Sequence, residues 1–338
     1  MSAHLDVGSG TRDDAAYAAA CGRVRVLEKR LLGPERLEEL LGARDLPSLL
    51  QTLERFGTLA RIDADTDKEW ERALDLSGAR ADRLLLDIDP RPTVSRMLVL
   101  RADLVNVRSL MRSRALGTVY PGPWHARALF GRQQLEVMVR DGDYAAWPEP
   151  LARKLAALQQ NPPTDLPAIN AALDSAWIGS LREGAIQSGS RFFADWLGHA
   201  ADLGNIRAWL RLDAAPSAWP ASLPLLPGGH LGEDLFAASG AVSRLPGRLA
   251  RTVYAPVIAR AGDGSGGLSL AMFERASDDF LTRLLQPARY LSLGPEPLWA
   301  WHLAREIDAK NVRTLVLGTL AGIAPERLRT LLRQPHGA

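Results

Sequence analysis

One short pattern occurs three times in this chain of 338 residues. Asp103-Leu-Val-Asn106-Val107-Arg108 returns as Asp202-Leu-Gly-Asn205-Ile206-Arg207, and again as Asp308-Ala-Lys-Asn311-Val312-Arg313. The chain holds five asparagines, and three of them stand in these copies. Seven and eight positions after each Asp come Leu110 and Met111, Trp209 and Leu210, and Leu315 and Val316. Each copy runs on into Gly and Pro: Gly117 to Pro123, Pro216 to Gly229, Gly318 to Pro325. Internal repetition of this kind dictates an architecture of related units joined in series. The copies lie about 100 residues apart, well beyond the 20–50 residues of solenoid repeats, which disfavours a solenoid.

The pattern also says something about local chemistry. On a helix, positions three apart are neighbours on one face, so Asp and Asn stand side by side. The apolar residue seven after Asp continues that stripe, which puts the pair at or inside the buried face. Asn is a poor helix former, and a buried amide must find hydrogen-bond partners. Keeping it three times points to a specific bond. The Arg five after Asp points about 140° away from it at 3.6 residues per turn. It reaches a neighbouring helix or loop instead. Two readings follow for Asp103, Asn106, Arg108, Asp202, Asn205, Arg207, Asp308, Asn311 and Arg313. One is a ligand site built three times. The other, favoured because catalysis has little use for three copies, is a structural polar lock between helices in each unit.

Apolar spacing of three and four predicts helices almost throughout. They are expected over residues 17–32, 37–41, 45–56, 94–114, 124–140, 151–159, 168–212 (broken near 179–189), 268–285, 296–317 and 325–333. The best strand candidate is 251–258, weakened by Pro256. The expected class is all-α, with units at 1–120, 121–220 and 221–338. The longest uncharged stretch, 214–232, carries Pro216, Pro220, Pro224 and Pro227 and reads as loop.

Composition excludes several functions. The 41 Lys and Arg against 39 Asp and Glu leave a net charge of +2, without the basic excess of a nucleic-acid binder. Cys21 is the sole cysteine, so no internal disulfide or thiolate zinc cluster can form. No apolar run is long enough to span a bilayer, and the first residues carry no signal-peptide pattern. The six histidines show no i, i+4 pair and no H-E-x-x-H, so no metal site is expected. Gly262-Asp-Gly264-Ser-Gly266-Gly267 matches G-x-G-x-x-G, but a dinucleotide site also needs a preceding strand. A flexible loop is the better reading. Walker A, G-x-S-x-G and S-x-x-K are missing, so neither catalytic residues nor cofactors are expected. The acid pairs Glu38/Glu39, Glu233/Asp234 and Asp278/Asp279 read as solvated helix faces or N-terminal turns.

The stretch from Met97 to Gly117, carrying Asp103, Asn106 and Arg108, resembles the first core helix of the C subunit of V/A-type ATP synthases. That protein is the relative of the d subunit of eukaryotic V-ATPases. Tyr17, Arg23-Val-Arg25-Val, Leu31-Leu32, Pro227-Gly228-Gly229 and Glu306-Ile-Asp308 with Asn311-Val-Arg313 carry the resemblance from about Tyr17 to Arg333. It implies three similar helical bundles about a pseudo-threefold axis, forming a funnel-shaped socket. It also implies a non-catalytic rotor component, peripheral on the cytoplasmic face of the membrane. Its implied partners are the D and F subunits of the shaft and the proteolipid ring. A free α-helical repeat scaffold for another protein partner is the alternative.

Overall fold

The computed structural model describes residues 13–60, 69–119, 124–125, 127–162, 166–213, 225–237, 245–262 and 267–337. Among them the regular structure is helical: α1 (Ala18–Glu28), α2 (Pro34–Leu41), α3 (Leu46–Arg55), α4 (Glu69–Ile88), α5 (Thr93–Val99), α6 (Arg101–Leu116), α7 (Arg132–Asp141), α8 (Glu149–Gln160), α9 (Leu166–Gln187), α10 (Arg191–Asp213), α11 (Asp234–Ala237), α12 (Leu245–Leu249), α13 (Ala255–Ala261), α14 (Leu270–Leu285), α15 (Glu296–Leu320) and α16 (Pro325–Arg329). No helix among the described residues is long and apolar enough to cross a membrane.

Local chemistry sets many of the boundaries. Asp45 caps α3 by accepting from the Ser48 amide at 2.9 Å, and the Asp45 amide donates back to Ser48 Oγ. Pro34, Pro297 and Pro325 sit in first turns, where their missing N–H costs nothing. Ser269 caps α14. Gly189 takes φ +72° and closes α9, so the expected break near 179–189 falls at its far end and the helix runs through Gly179.

Four sequence expectations are corrected. The segment 251–258 is no strand: it is a turn followed by α13, with Pro256 in the first turn, where proline favours a helix start. The helix expected over 94–114 is two, because Leu100 leaves helical geometry with ψ near −1°. The helix expected from residue 124 begins only at Arg132, since the backbone before it is held by side chains of α6. Asp278 and Asp279 are not solvated: Asp278 pairs with Lys310 and Arg333, and buried Asp279 accepts from the Gln334 amide. Helix α4, 20 residues long, lies outside the expected helices, although Trp70, Ala73, Leu74, Ala81 and Leu85 share one face at helical spacing.

Among the described residues three apolar cores result. The largest gathers the N-terminal parts of the three motif-bearing units, with Val94, Met97 and Leu100, Phe193 and Leu197, and Leu298 and Trp299. Direct contacts tie these ends together. The Phe193 and Trp299 rings lie 4.8 Å apart, Trp299 Nε1 donates to Ser95 Oγ at 3.2 Å, and Ser190 Oγ donates to Glu296 Oε1 at 2.6 Å. Further along, the helices enter separate surroundings. The second core joins α2, α3 and α4 to the C-terminal half of α15 and to Leu328 of α16. The third joins the C-terminal half of α10 to α12, α13 and α14. The two ends of the described chain therefore share a core.

Candidate functional site

The three copies of the pattern lie on α6, α10 and α15, and all three Asp and all three Asn are buried. Each Asn makes the same pair of bonds. Asn106 Nδ2 donates to the His125 carbonyl at 3.1 Å, while its Oδ1 accepts from the His125 amide at 2.8 Å. Asn205 holds Leu226 at 3.2 Å and 2.7 Å, and Asn311 holds Arg333 at 3.1 Å and 2.8 Å. The gripped residue comes 19, 21 and 22 positions after its Asn. A primary amide carries a donor and an acceptor spaced like those of a peptide group, so it can satisfy both polar groups of an irregular residue at once. That residue has no helical or strand partner, and it is partly withdrawn from water, so the Asn satisfies groups that would otherwise go short of partners.

The Asp supplies what the Asn cannot. Two consecutive amides need two acceptor oxygens, which a carboxylate offers. Asp103 accepts from Leu129 and Phe130 at 3.0 Å and 2.9 Å. Asp202 accepts from His230 and Leu231 at 2.9 Å and 3.1 Å. In both, the amides follow the Asn-held residue by four and five positions. The same offset in the third copy reaches Gly337 and Ala338, yet Asp308 takes the amide of Leu32 at 3.1 Å. The third copy thus holds a C-terminal residue with its Asn and an N-terminal one with its Asp. Burial pushes the Asp103 carboxyl up to about 6 against its two amide bonds. Burial pushes Asp308 up to about 7, against Arg305, the Leu32 amide and Arg36.

The arginines do not join these clusters. Arg108 bonds Asp174 of α9 at 2.6 Å, and Arg313 lies 3.6 Å from Asp75 of α4. Arg207 is exposed. The Asp and Asn contacts run from helix to irregular backbone rather than from helix to helix. A different arginine ties the first gripped loop to the rest. Arg127 makes a two-pronged pair with Asp82 of α4 and reaches Glu306 of α15 at 2.6 Å, with His302 Nδ1 3.4 Å from Asp82. Asp82 is 1% exposed.

The second copy has additions that spacing along the chain does not reveal. Tyr254 Oη donates to Asp202 Oδ2 at 2.5 Å and meets His199 Nδ1 at 2.7 Å. Beside them, Asp195, His199 and His230 bring one ligand-type atom each to within 4.8 Å of one another. His230 is far from His199 in sequence, so only the Asp202-held loop makes them neighbours. Burial and His230 hold the His199 imidazole below its ordinary range, which favours the neutral ring. For the Gly-rich stretch, residues 263–266 lie outside the described residues. The segment before it is helix α13, so the strand a dinucleotide site needs is not there.

Comparison with known proteins gives this arrangement a family. The family model for the ATP synthase (C/AC39) subunit matches residues 20–331, which takes in all three copies. The C subunit of the A-type ATP synthase of Methanocaldococcus jannaschii is 24% identical, across 95% of this chain and 87% of its own. The C subunit of the V-type sodium ATPase of Enterococcus hirae is 21% identical, across 93% and 97%. The C subunit of the A-type ATP synthase of Thermococcus onnurineus is 23% identical, across 94% and 90%. A match of this extent leaves one conclusion: the chain belongs to the ATP synthase (C/AC39) subunit family.

Proposed function

We propose that this chain is a non-catalytic central-stalk component of a V/A-type ATPase or ATP synthase. In this reading it is a socket, peripheral on the cytoplasmic face of the membrane, that couples a rotating shaft of the D and F subunits to the proteolipid ring. It serves proton or sodium transport linked to ATP synthesis or hydrolysis. The observation that carries the reading is the family match across nearly the whole chain, with relatives named as C subunits of such machines over 87% or more of their own length.

The three Asp/Asn pairs are, in this proposal, structural fastenings rather than ligand sites. Their support is that each amide and carboxylate is engaged by backbone groups. A rotor part transmits torque, so loops pinned to rigid helices suit it better than mobile ones. The proposal includes three bundles about a pseudo-threefold axis in a funnel, divided near 1–120, 121–220 and 221–338. Helices α2–α4 belong to the first unit in this division and pack against the C-terminal half of α15.

Affinity purification of the complex from cells carrying a tagged chain tests this. One copy per assembly, together with shaft and ring components, is expected. Weakened docking should lower ion transport per ATP hydrolysed while the free catalytic head keeps its ATPase activity. Co-elution with neither shaft nor ring overturns the reading, as does equal loss of both activities.

A further inference from the structure

We propose that Asp195, His199 and His230 form a binding site for one divalent transition-metal ion of the zinc type, peculiar to the second of the three units. Two imidazoles and a carboxylate are a ligand set zinc takes readily, with water in the fourth position. His199 Nε2 lies 3.7 Å from Asp195 Oδ2, and His230 Nε2 lies 3.4 Å from Asp195 Oδ1. Bonds of about 2.0–2.1 Å in a tetrahedron place neighbouring ligand atoms roughly 3.3 Å apart. The set, one atom from each residue, lies within 4.8 Å, so an ion would have to draw the two rings and a single carboxylate oxygen inward. The two rings are 4.5 Å apart between centroids.

Two further features point to a ligand. The first is the set of groups behind the ligands. Tyr254 has one hydroxyl proton, and it goes to Asp202 at 2.5 Å. The Tyr254 oxygen must therefore accept from His199 Nδ1–H at 2.7 Å. That fixes the tautomer: His199 Nε2 is left with its lone pair, on the side of Asp195 and His230. Metal-binding histidines commonly donate their other ring N–H in this way, which orients the ring and raises its basicity. The second feature is the floor of the site. Asp195, Gly198, His199 and Asp202 share one face of α10. A Cβ on Gly198 would stand 2.5 Å from His230 Nε2, so glycine is what admits that ring.

The ligands come from a helix and from the loop that Asp202 and Asn205 already hold by hydrogen bonds. A bound ion would clasp the same loop a third time. His230 Nε2 is also 3.2 Å from the Asp195 carbonyl oxygen, a hydrogen bond it would give up to the metal. The corresponding positions of the other copies do not carry the set. Arg96 and Leu100 stand where Asp195 and His199 do in the first, and Trp301 and Arg305 in the third.

The test uses the tag-free full chain, stripped with a chelator and desalted. It is titrated with zinc chloride by calorimetry and with cobalt chloride by visible spectroscopy. One ion per chain is expected, with a raised melting temperature in zinc and the intense bands of four-coordinate cobalt. Asp195→Asn and His230→Gln should each weaken binding more than about tenfold. Gly198→Ala should weaken it without removing any ligand. Asp195 is exposed, so its variant keeps the fold in chelator and remains decisive should His230→Gln fail to fold. Absence of zinc uptake at micromolar concentration overturns the proposal, as does uptake by Asp195→Asn equal to that of the unaltered chain.

Discussion

Asp308→Asn should stabilise this protein at alkaline pH and leave it nearly unchanged in acid. Asp308 is 3% exposed and accepts a hydrogen bond from the Leu32 amide through Oδ2. Its burial raises the carboxyl from 3.8 to about 7. A group whose pKa is higher in the folded state binds protons more tightly there. Its contribution is fully present below pH ~4, falls as pH rises, and is lost above about 7. At roughly 1.4 kcal/mol per tenfold change in proton affinity, the interval corresponds to at most about 4 kcal/mol. Asparagine keeps an oxygen for Leu32 and carries no charge at any pH, so it mimics the protonated acid. Urea midpoints of both chains from about pH 4.5 to 8.5 should show a difference within ~1 kcal/mol at the acid end. At the alkaline end, Asp308→Asn should be ahead by on the order of 2–4 kcal/mol. Taking the difference between two chains cancels other titrations. Among them is His336, which burial lowers to about 4 and which costs stability as pH falls from 6.5 toward 4. A gap of the same size at both ends of the range would refute the argument.

The remaining expectations concern the same fastenings. Asn106→Ala, Asn205→Ala and Asn311→Ala should each lose about 1–3 kcal/mol in urea melts, because each removes both hydrogen bonds of a partly buried backbone residue; no loss at any of the three sites would end the polar-lock account. In Gly229→Ala the added methyl collides with the Asp202 carboxylate, so amide exchange at His230 and Leu231 should accelerate while Leu129 and Phe130 stay protected. Arg127→Met strands the buried Asp82 carboxylate and should lose about 3–5 kcal/mol. Adding Asp82→Asn should recover part of that loss, and strict additivity of the two would show that the pair is not coupled.

Much of the helical content is legible in the sequence because its cause is local. Asp45, Ser269 and the first-turn prolines act within a few residues, and apolar spacing marks α3, α14 and α15. The departures have physical reasons too. Helix α4 is an exception: Trp70, Ala73, Leu74, Ala81 and Leu85 mark one face locally, and the expected helices pass over them. Residues 124–131 have helical composition, but Asn106 and Asp103 compete successfully for their backbone groups. Pro256 weighs against a strand at 251–258, and the fold puts it to the other use open to proline, the start of a helix. Asp279 reads as a surface acid until the Gln334 amide arrives from 55 residues away.

The sequence alone determined that this is a helical protein built on three copies of one helix, and that the Asp and Asn in each copy must face the interior with partners. Periodicity and the cost of a buried unsatisfied amide suffice for that, because both act within one helix. It could not say what the partners were. An Asn can bond another helix, a loop or a ligand with equal chemistry, and only the folded chain decided for irregular backbone 19 to 22 residues on. Tertiary structure alone also decided that Asp308 reaches back to Leu32, joining the two ends through one core, and that His230 comes to rest beside His199 and Asp195. Both depend on where a long-range contact places a backbone, and no local spacing encodes that.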